Sequence, residues 1–162
     1  MIQRIQSVYL FLAFVMGMLI FFFPIASFVT ENAYFDFFIC HIKDTSPNPF
    51  PEMKTAAHQF PWFYTIPLAI LQLIVSLLIV FTLFQYKKRP LQIKINYLTI
   101  LLNVMLVGGI FYASSLIETQ TGVVADYGFG GIFPLLSIVL VFLANSGVKK
   151  DEKLVRSADR LR

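Results

Sequence analysis

Four long stretches of this sequence contain no Asp, Glu, Lys, Arg or His, and this feature constrains the fold most strongly. They lie at about residues 7–28, 63–86, 95–117 and 131–148. A stretch of about 20 apolar residues is long enough to cross the hydrocarbon core of a bilayer as a helix. The sequence therefore predicts an all-α membrane protein of one domain, with four transmembrane helices in an up-down-up-down bundle.

The composition agrees with immersion in lipid. Hydrophobic residues make up 57% of the chain and charged residues 14%, whereas an average soluble domain has about 25% charged residues. A signal peptide cleaved near Ala26 and Ser27 is the alternative interpretation of the first stretch. Its apolar run is longer than the roughly 7–15 residues typical of such peptides, so a retained first helix is the preferred interpretation.

A basic cluster between the second and third stretches sets the predicted orientation. Its members are Lys87, Lys88, Arg89 and Lys94. Positively charged loops stay on the cytoplasmic side, and four spans then place both termini there as well. Of the thirteen Lys and Arg residues, only Lys43 and Lys54 lie outside in this orientation. The asymmetry argues against a nucleic-acid partner and predicts contact with anionic lipid headgroups on the cytoplasmic face.

Residues 29–62 form the predicted periplasmic loop. Its first half, Tyr34–Ile42, is aromatic and β-prone, so it predicts a strand or one arm of a hairpin. His41 and His58 are candidate metal ligands, together with Cys40 and the nearby aspartates. Their spacing matches no metal motif, so the sequence predicts neither a metal nor a cofactor. Cys40 is expected to be a small buried apolar residue.

Polar side chains inside the spans are few and uncharged. Gln72 and Ser76 share one helical face, as do Thr99 and Asn103, and these four are predicted to make interhelical contacts. The specific expectation is a hydrogen bond between Gln72 and Asn103. A polar path for a ligand is the alternative interpretation. The lack of ionisable groups at membrane depth argues against proton-coupled transport and haem binding.

The last segment, residues 149–162, is predicted to be a basic cytoplasmic helical tail. Glu152 precedes Arg156 by four residues, an arrangement that favours helix. The tail is either a solvated anchor for the fourth span or a docking surface for a partner. The candidate docking residues are Leu154, Arg156, Ala158, Arg160 and Leu161.

Two end segments and two internal motifs carry a resemblance. These are residues 1–6 and 150–162, the Tyr-Gly-Phe-Gly motif at 127–130, and the Leu-Ala-Asn motif at 143–145. Together they resemble a family of small four-span bacterial inner-membrane proteins of Bacteroidota, catalogued as a domain of unknown function. The resemblance implies a multi-pass inner-membrane protein. It implies no catalytic or binding residue, because no activity is assigned to the family.

Three functional hypotheses follow from these features. The first is a non-enzymatic accessory or scaffold subunit of an inner-membrane complex, which binds its protein partners through the tail and the outer loop. The second is an oligomeric carrier or channel for a small neutral or lipid-like molecule. The third, an interfacial enzyme that uses the outer His and Asp side chains, has the least support.

Overall fold

The computed structural model describes residues 3–30, 34–45, 61–85 and 88–159, which form helices and short strands. The helices are α1 (Gln3–Leu19), α2 (Ile66–Phe84), α3 (Arg89–Thr121) and α4 (Ile132–Asp159). The strands are β1 (Ala26–Val29), β2 (Tyr34–Phe37), β3 (Ile42–Asp44) and β4 (Asp126–Tyr127). Single 3-10 turns, Trp62–Tyr64 and Phe129–Gly131, precede α2 and α4.

The chain is not all-α as predicted, because the strands form an antiparallel sheet in the order β3-β2-β1-β4. The expectation of a strand or hairpin arm over Tyr34–Ile42 is confirmed, since β2 pairs with β3 through this segment. β1 pairs with both β2 and β4. The loop after α1 and the loop after α3 are therefore joined in one sheet.

The prediction of one helix over residues 7–28 is wrong in its last third. α1 ends at Leu19, and the chain turns there, with the backbone N–H groups of Phe22 and Phe23 donating to the Leu19 carbonyl. Pro24 cannot continue a helix, because its ring removes a donor and clashes with the preceding turn. The N–H of Ile25 then donates to the carbonyl of Phe37 at 2.7 Å, which directs the chain into the sheet.

The other helices begin and end at recognisable signals. Pro67 and Pro90 lie in the first turns of α2 and α3, where a missing N–H removes no helical hydrogen bond. α3 ends at Gly122, which has a φ of 72°, a left-handed conformation that glycine adopts without steric penalty. α4 continues without a break to Asp159, so the predicted helical character of the tail is confirmed as far as that residue.

The four helices pack side by side, α1 and α3 each lying against both α2 and α4. Contacts near the helix ends give their directions. Gln6 at the start of α1 bonds to Asp151 near the end of α4, and Ser137 lies against the carbonyl of Ala13. α1 and α4 are thus antiparallel neighbours, although α1 is the first of the four helices in the sequence and α4 the last.

The sheet covers one end of the bundle with an apolar face. Phe28 and Phe37 are fully buried, as is Ile117 of α3 in the same cluster. The opposite face is polar, and Asp36 accepts hydrogen bonds there from the hydroxyls of Ser27 at 2.8 Å and Thr45 at 3.1 Å. This alternation is what strands produce when only one face is packed.

The helical surface is apolar, the reverse of a soluble bundle. Leu77 is 68% exposed and Phe84 72%, while Gln72 is 1% exposed. Among the described residues, three helices are long and apolar enough to cross a membrane, Trp62–Phe84, Arg89–Thr121 and Phe129–Lys153. They coincide with the second, third and fourth predicted spans and indicate a membrane protein. The first is a shorter apolar helix, Ile5–Leu19, so four crossings stay a prediction.

Candidate functional site

The interior of the bundle contains a group of buried polar side chains, which forms the candidate site. Each is at most 2% exposed. They are Gln72, Ser76 and Thr82 on α2, Asn96, Thr99, Asn103 and Ser114 on α3, and Ser137 and Asn145 on α4. All four side chains that the sequence predicts as interhelical contacts are in this group, so helical spacing placed them correctly on the inward faces.

The predicted hydrogen bond between Gln72 and Asn103 is wrong. The Gln72 Nε2 donates to the backbone carbonyl of Gly17 on α1 at 2.7 Å, and neither amide atom of Asn103 has a partner. The backbone carbonyls in the last turn of a helix receive no hydrogen bond from an N–H of the same helix. Gly17 lies in such a turn, because α1 ends two residues after it. Gln72 therefore caps the end of α1, a role hidden from sequence because the helix was expected to continue to residue 28.

Gly17 gives Gln72 the space to reach this carbonyl. A Cβ added at Gly17 would lie 2.7 Å from Gln72 Nε2 and 3.3 Å from Ser76 Oγ. Ser76 Oγ also accepts from Gln72 Nε2 at 3.3 Å. The two α2 side chains thus form one small polar contact with α1, which is the interhelical function that their spacing predicts, with a different partner.

Thr99 does not make the interhelical contact that was predicted for it. Its hydroxyl donates to the carbonyl of Ile95, one turn back in α3, at 2.9 Å. Thr82 does the same in α2, with its hydroxyl 2.7 Å from the Leu78 carbonyl. A threonine inside an apolar environment satisfies its hydroxyl within its own helix in this way, so helical spacing alone overestimates its contribution to helix association.

Several buried polar atoms in this interior have no hydrogen-bonding partner within the described part of the chain. They are Gln72 Oε1, both amide atoms of Asn96 and of Asn103, Ser114 Oγ and Asn145 Oδ1. A buried polar group without a partner costs free energy, and in an apolar bundle the penalty is large. These atoms are therefore the part of the interior that most needs a hydrogen-bonding partner.

The other end of the bundle, which carries the basic cluster, is closed by a buried carboxylate. Asp151 is 8% exposed and accepts a hydrogen bond from Gln6 Nε2 at 2.7 Å. Arg89 Nη1 lies 3.5 Å from the Asp151 carbonyl oxygen, and Lys149 contacts both the hydroxyl and the ring of Tyr97. The contact between Asp151 and Gln6 was not predicted, because Asp151 stands among the charged residues of the tail and has no local feature that marks it as buried.

Some of the predicted basic and docking residues lie within the described part of the chain. Lys88 and Lys94 are exposed, and with Pro90 and Leu91 they line a shallow groove at the start of α3. Lys87, Arg160 and Leu161 lie outside the described residues. So do the side chains of Leu154, Arg156 and Ala158, although their backbone belongs to α4.

The start of α4 is held against the turn that follows α1. The N–H of Gly128 donates to the carbonyl of Ile25 at 2.9 Å, and the N–H of Gly130 donates to the carbonyl of Pro24 at 3.0 Å. A Cβ at Gly130 would collide with Pro24 and with the Phe23 carbonyl oxygen. The glycines of the Tyr-Gly-Phe-Gly motif are therefore required by close backbone contact.

A family model described as "Domain of unknown function (DUF4293)" matches residues 2–161. The chain belongs to this family. The match covers nearly the whole chain and confirms the resemblance carried by its two ends and two internal motifs. Among curated proteins, none matches it.

Cys40 and His41 of this DUF4293 member lie in the turn between β2 and β3. Cys40 is exposed, contrary to the expectation that it is buried, although partial burial raises the pKa of its thiol. The His41 ring stacks on Phe38 with centroids 5.0 Å apart, in the turn between β2 and β3. Within the described ranges, no group of three His, Cys, Asp or Glu side chains is placed to hold a metal ion. His58 lies outside those ranges.

Proposed function

We propose that this DUF4293 member is a non-enzymatic accessory or scaffold subunit of a membrane-protein complex. One observation carries the proposal: one end of the bundle presents the polar face of a folded sheet, and the other end continues as a helix beyond the bundle. At one end, the polar face of the sheet is held in place by the buried Phe28 and Phe37. At the other, α4 extends beyond the basic cluster as an unbroken helix to Asp159. Preorganised surfaces favour partner binding because less conformational entropy is lost on association.

The outer surface would offer a row of charged and polar groups across the sheet. In the strand register, Asp126 lies opposite Ser27, which lies opposite Asp36, which in turn lies opposite Lys43. Exposed Val29 and Tyr34 form a further cross-strand pair on the same face. A mixed polar surface with an aromatic side chain is typical of interfaces that form between separately folded subunits.

The extension of α4 is the second proposed docking surface, and its first turn is anchored. Asp151 binds Gln6, and a Cβ at Gly147 would come within 2.9 Å of the same glutamine side chain. This contact sets the direction in which the helix leaves the bundle. The candidate docking residues, from Leu154 onward, come directly after the anchored turn.

Four membrane crossings form part of the proposal, and the packing of α1 supports the fourth. α1 ends where α4 begins, with the rings of Phe23 and Phe133 in edge contact at 5.4 Å. It begins where α4 leaves the bundle, at the contact of Gln6 with Asp151. If α4 crosses the bilayer, α1 therefore crosses it too. The 17 residues of α1 extend about 25 Å at 1.5 Å per residue.

The proposed orientation places the basic cluster, both termini and the α4 extension in the cytoplasm of a bacterial cell, with the sheet outside. The basic side chains at one end of the bundle support this through the positive-inside rule. The groove lined by Lys88 and Lys94 has an apolar floor, which suits an anionic lipid with its headgroup beside the two lysines.

Reporter fusions test the orientation. An alkaline phosphatase domain, which is active only outside the cytoplasm, is expected to be active when fused after Thr121 and inactive when fused after Arg89. A fluorescent protein that matures only in the cytoplasm serves as the control and is expected to give the opposite pattern. Phosphatase activity after Arg89 would show that the molecule is inserted the other way up.

Truncation tests docking through the tail. A chain that ends at Lys153 keeps the contact between Asp151 and Gln6 but loses the candidate docking residues. We expect it to lose its specific protein partner during affinity purification in mild detergent, with a smaller complex on a native gel. Equal unfolding midpoints for truncated and full-length protein would show that the bundle is intact. If the same partner is recovered at the same stoichiometry, the tail is not the docking surface.

A carrier or channel for a small neutral molecule is the second candidate. The observation that favours it is the set of buried amides without partners in the bundle interior. Four helices enclose little space, so such a carrier would act as an oligomer. This candidate requires that the interior bind a molecule of that class.

A further inference from the structure

The interior amides that have no partner belong to two neighbouring turns of α3 and to the helices that face them. Asn96 is 1% exposed and Asn103 is fully buried. In both, neither the amide nitrogen nor the amide oxygen has a hydrogen-bonding partner. Seven residues separate them, so they share one face of α3 at an axial distance of about 10 Å.

The facing helices bring two further orphaned acceptors alongside this stretch of α3. A Cβ at Gly109 would lie 2.7 Å from the Leu68 side chain of α2. Leu68 and Gly109 are therefore at about the same height along the bundle axis. One turn further along α2, Gln72 is then level with the region of Asn103. Lys149 of α4 contacts Tyr97 of α3, and the two helices run in opposite directions. Asn145, one turn before Lys149, therefore lies at a height between Asn96 and Asn103.

The types of orphaned atom identify the chemistry of a fitting ligand. The oxygens of Gln72, Asn96, Asn103 and Asn145 accept hydrogen bonds, while the amide nitrogens of Asn96 and Asn103 donate them. A cation coordinated by the oxygens would leave the amide N–H groups of Asn96 and Asn103 without acceptors. An anion would be repelled by the oxygens. A neutral molecule that both donates and accepts hydrogen bonds satisfies the whole set.

We propose that the bundle interior, between the levels of Asn96 and Gln72, binds a small neutral molecule with hydrogen-bond donors and acceptors. Two sources share this chemistry, a group of ordered water molecules or a small solute that carries amide or hydroxyl groups. Either of them pairs the amides that the helices leave unpaired. This site does not depend on the docking function, because no docking residue takes part in it.

Leucine variants with a matched control test the site. Leucine approximates the shape of asparagine but makes no hydrogen bonds, so Asn96→Leu combined with Asn103→Leu removes the proposed ligand contacts. Thr99→Val is the control, because Thr99 lies between the two asparagines on the same face but bonds only to Ile95. The full-length protein is studied in lipid nanodiscs.

Two measurements distinguish the sources. Radiolytic hydroxyl labelling modifies buried side chains that lie next to bound water, and Val141, fully buried one turn from Asn145, is the reporter. Mass spectrometry of the extract from denatured protein detects a bound solute. Labelling of Val141 that is lost in the double variant and kept in Thr99→Val identifies water. A solute released in about equimolar amount by the wild type and by Thr99→Val, but not by the double variant, identifies a solute.

The wild type alone can overturn the proposal. If Val141 is unlabelled and no solute is released, the interior is dry and the proposal is wrong, whether or not the double variant folds. The same conclusion follows if labelling and release are identical in the wild type and the folded double variant.

Discussion

Replacing Phe37 with alanine is expected to destabilise the protein by about 3–5 kcal/mol, the usual cost of truncating a fully buried phenylalanine. Phe37 is 0% exposed and belongs to the cluster that joins the sheet to α3. It lies between Ala26 and Ile42 in the strand register. Its loss leaves a cavity under the middle of the sheet, so the variant is expected to unfold at a lower denaturant concentration.

The measurement is unfolding in mixed detergent micelles with increasing sodium dodecyl sulfate, followed by circular dichroism. Phe22→Ala is the matched control, because Phe22 lies at the same end of the molecule but is 75% exposed. We expect the control to change the free energy of unfolding by less than about 0.5 kcal/mol. Equal losses in the two variants would contradict the assignment of Phe37 to a packed core.

Alanine at Gly130 is expected to have the next largest effect. Its Cβ would collide with backbone atoms of the turn after α1, including the Pro24 carbonyl carbon at 2.7 Å and the Phe23 carbonyl oxygen at 2.8 Å. Backbone atoms cannot rotate aside as side chains do, so the start of α4 must move away. The hydrogen bond from Gly130 N–H to the Pro24 carbonyl is then strained or lost. Overpacking of this kind typically costs about 1–3 kcal/mol.

Gly108→Ala provides the control for this variant. Gly108 lies in the middle of α3, and a Cβ there would meet nothing within 4 Å. Because alanine has the higher helix propensity, we expect this variant to be neutral or slightly stabilised in the same unfolding assay. An equal effect of the two substitutions would show that α4 does not begin against the turn at Pro24.

The three longer apolar helices were predictable because their signals are local. Each contains an uncharged run about as long as a membrane crossing needs, and prolines mark the first turns of α2 and α3. The end of α1 was not predictable from the same signals. Residues 20–28 are as apolar as the helix before them, and hydropathy does not separate a buried strand from a buried helix. The chain leaves the helix because the N–H of Ile25 bonds to the carbonyl of Phe37, and Phe37 is distant in sequence from the end of α1.

The candidate site shows the same limit at the level of single side chains. Helical spacing placed Gln72, Ser76, Thr99 and Asn103 on inward faces because that depends only on the repeat of a helix. Their partners depend on where other helices end. Gln72 binds a carbonyl that is available because α1 stops at Leu19, so an error in the helix end became an error in the predicted hydrogen bond.

The antiparallel contact of α1 with α4 has a consequence for biogenesis. Of the four helices, α1 is synthesised first, yet its principal neighbour is α4, the last of them, and its Gln6 binds Asp151, more than 140 positions later in the chain. Until α4 has been synthesised, the packing surface of α1 that it covers stays open. Chains that terminate before α4 thus keep this face of α1 uncovered, and membrane quality-control proteases can recognise it.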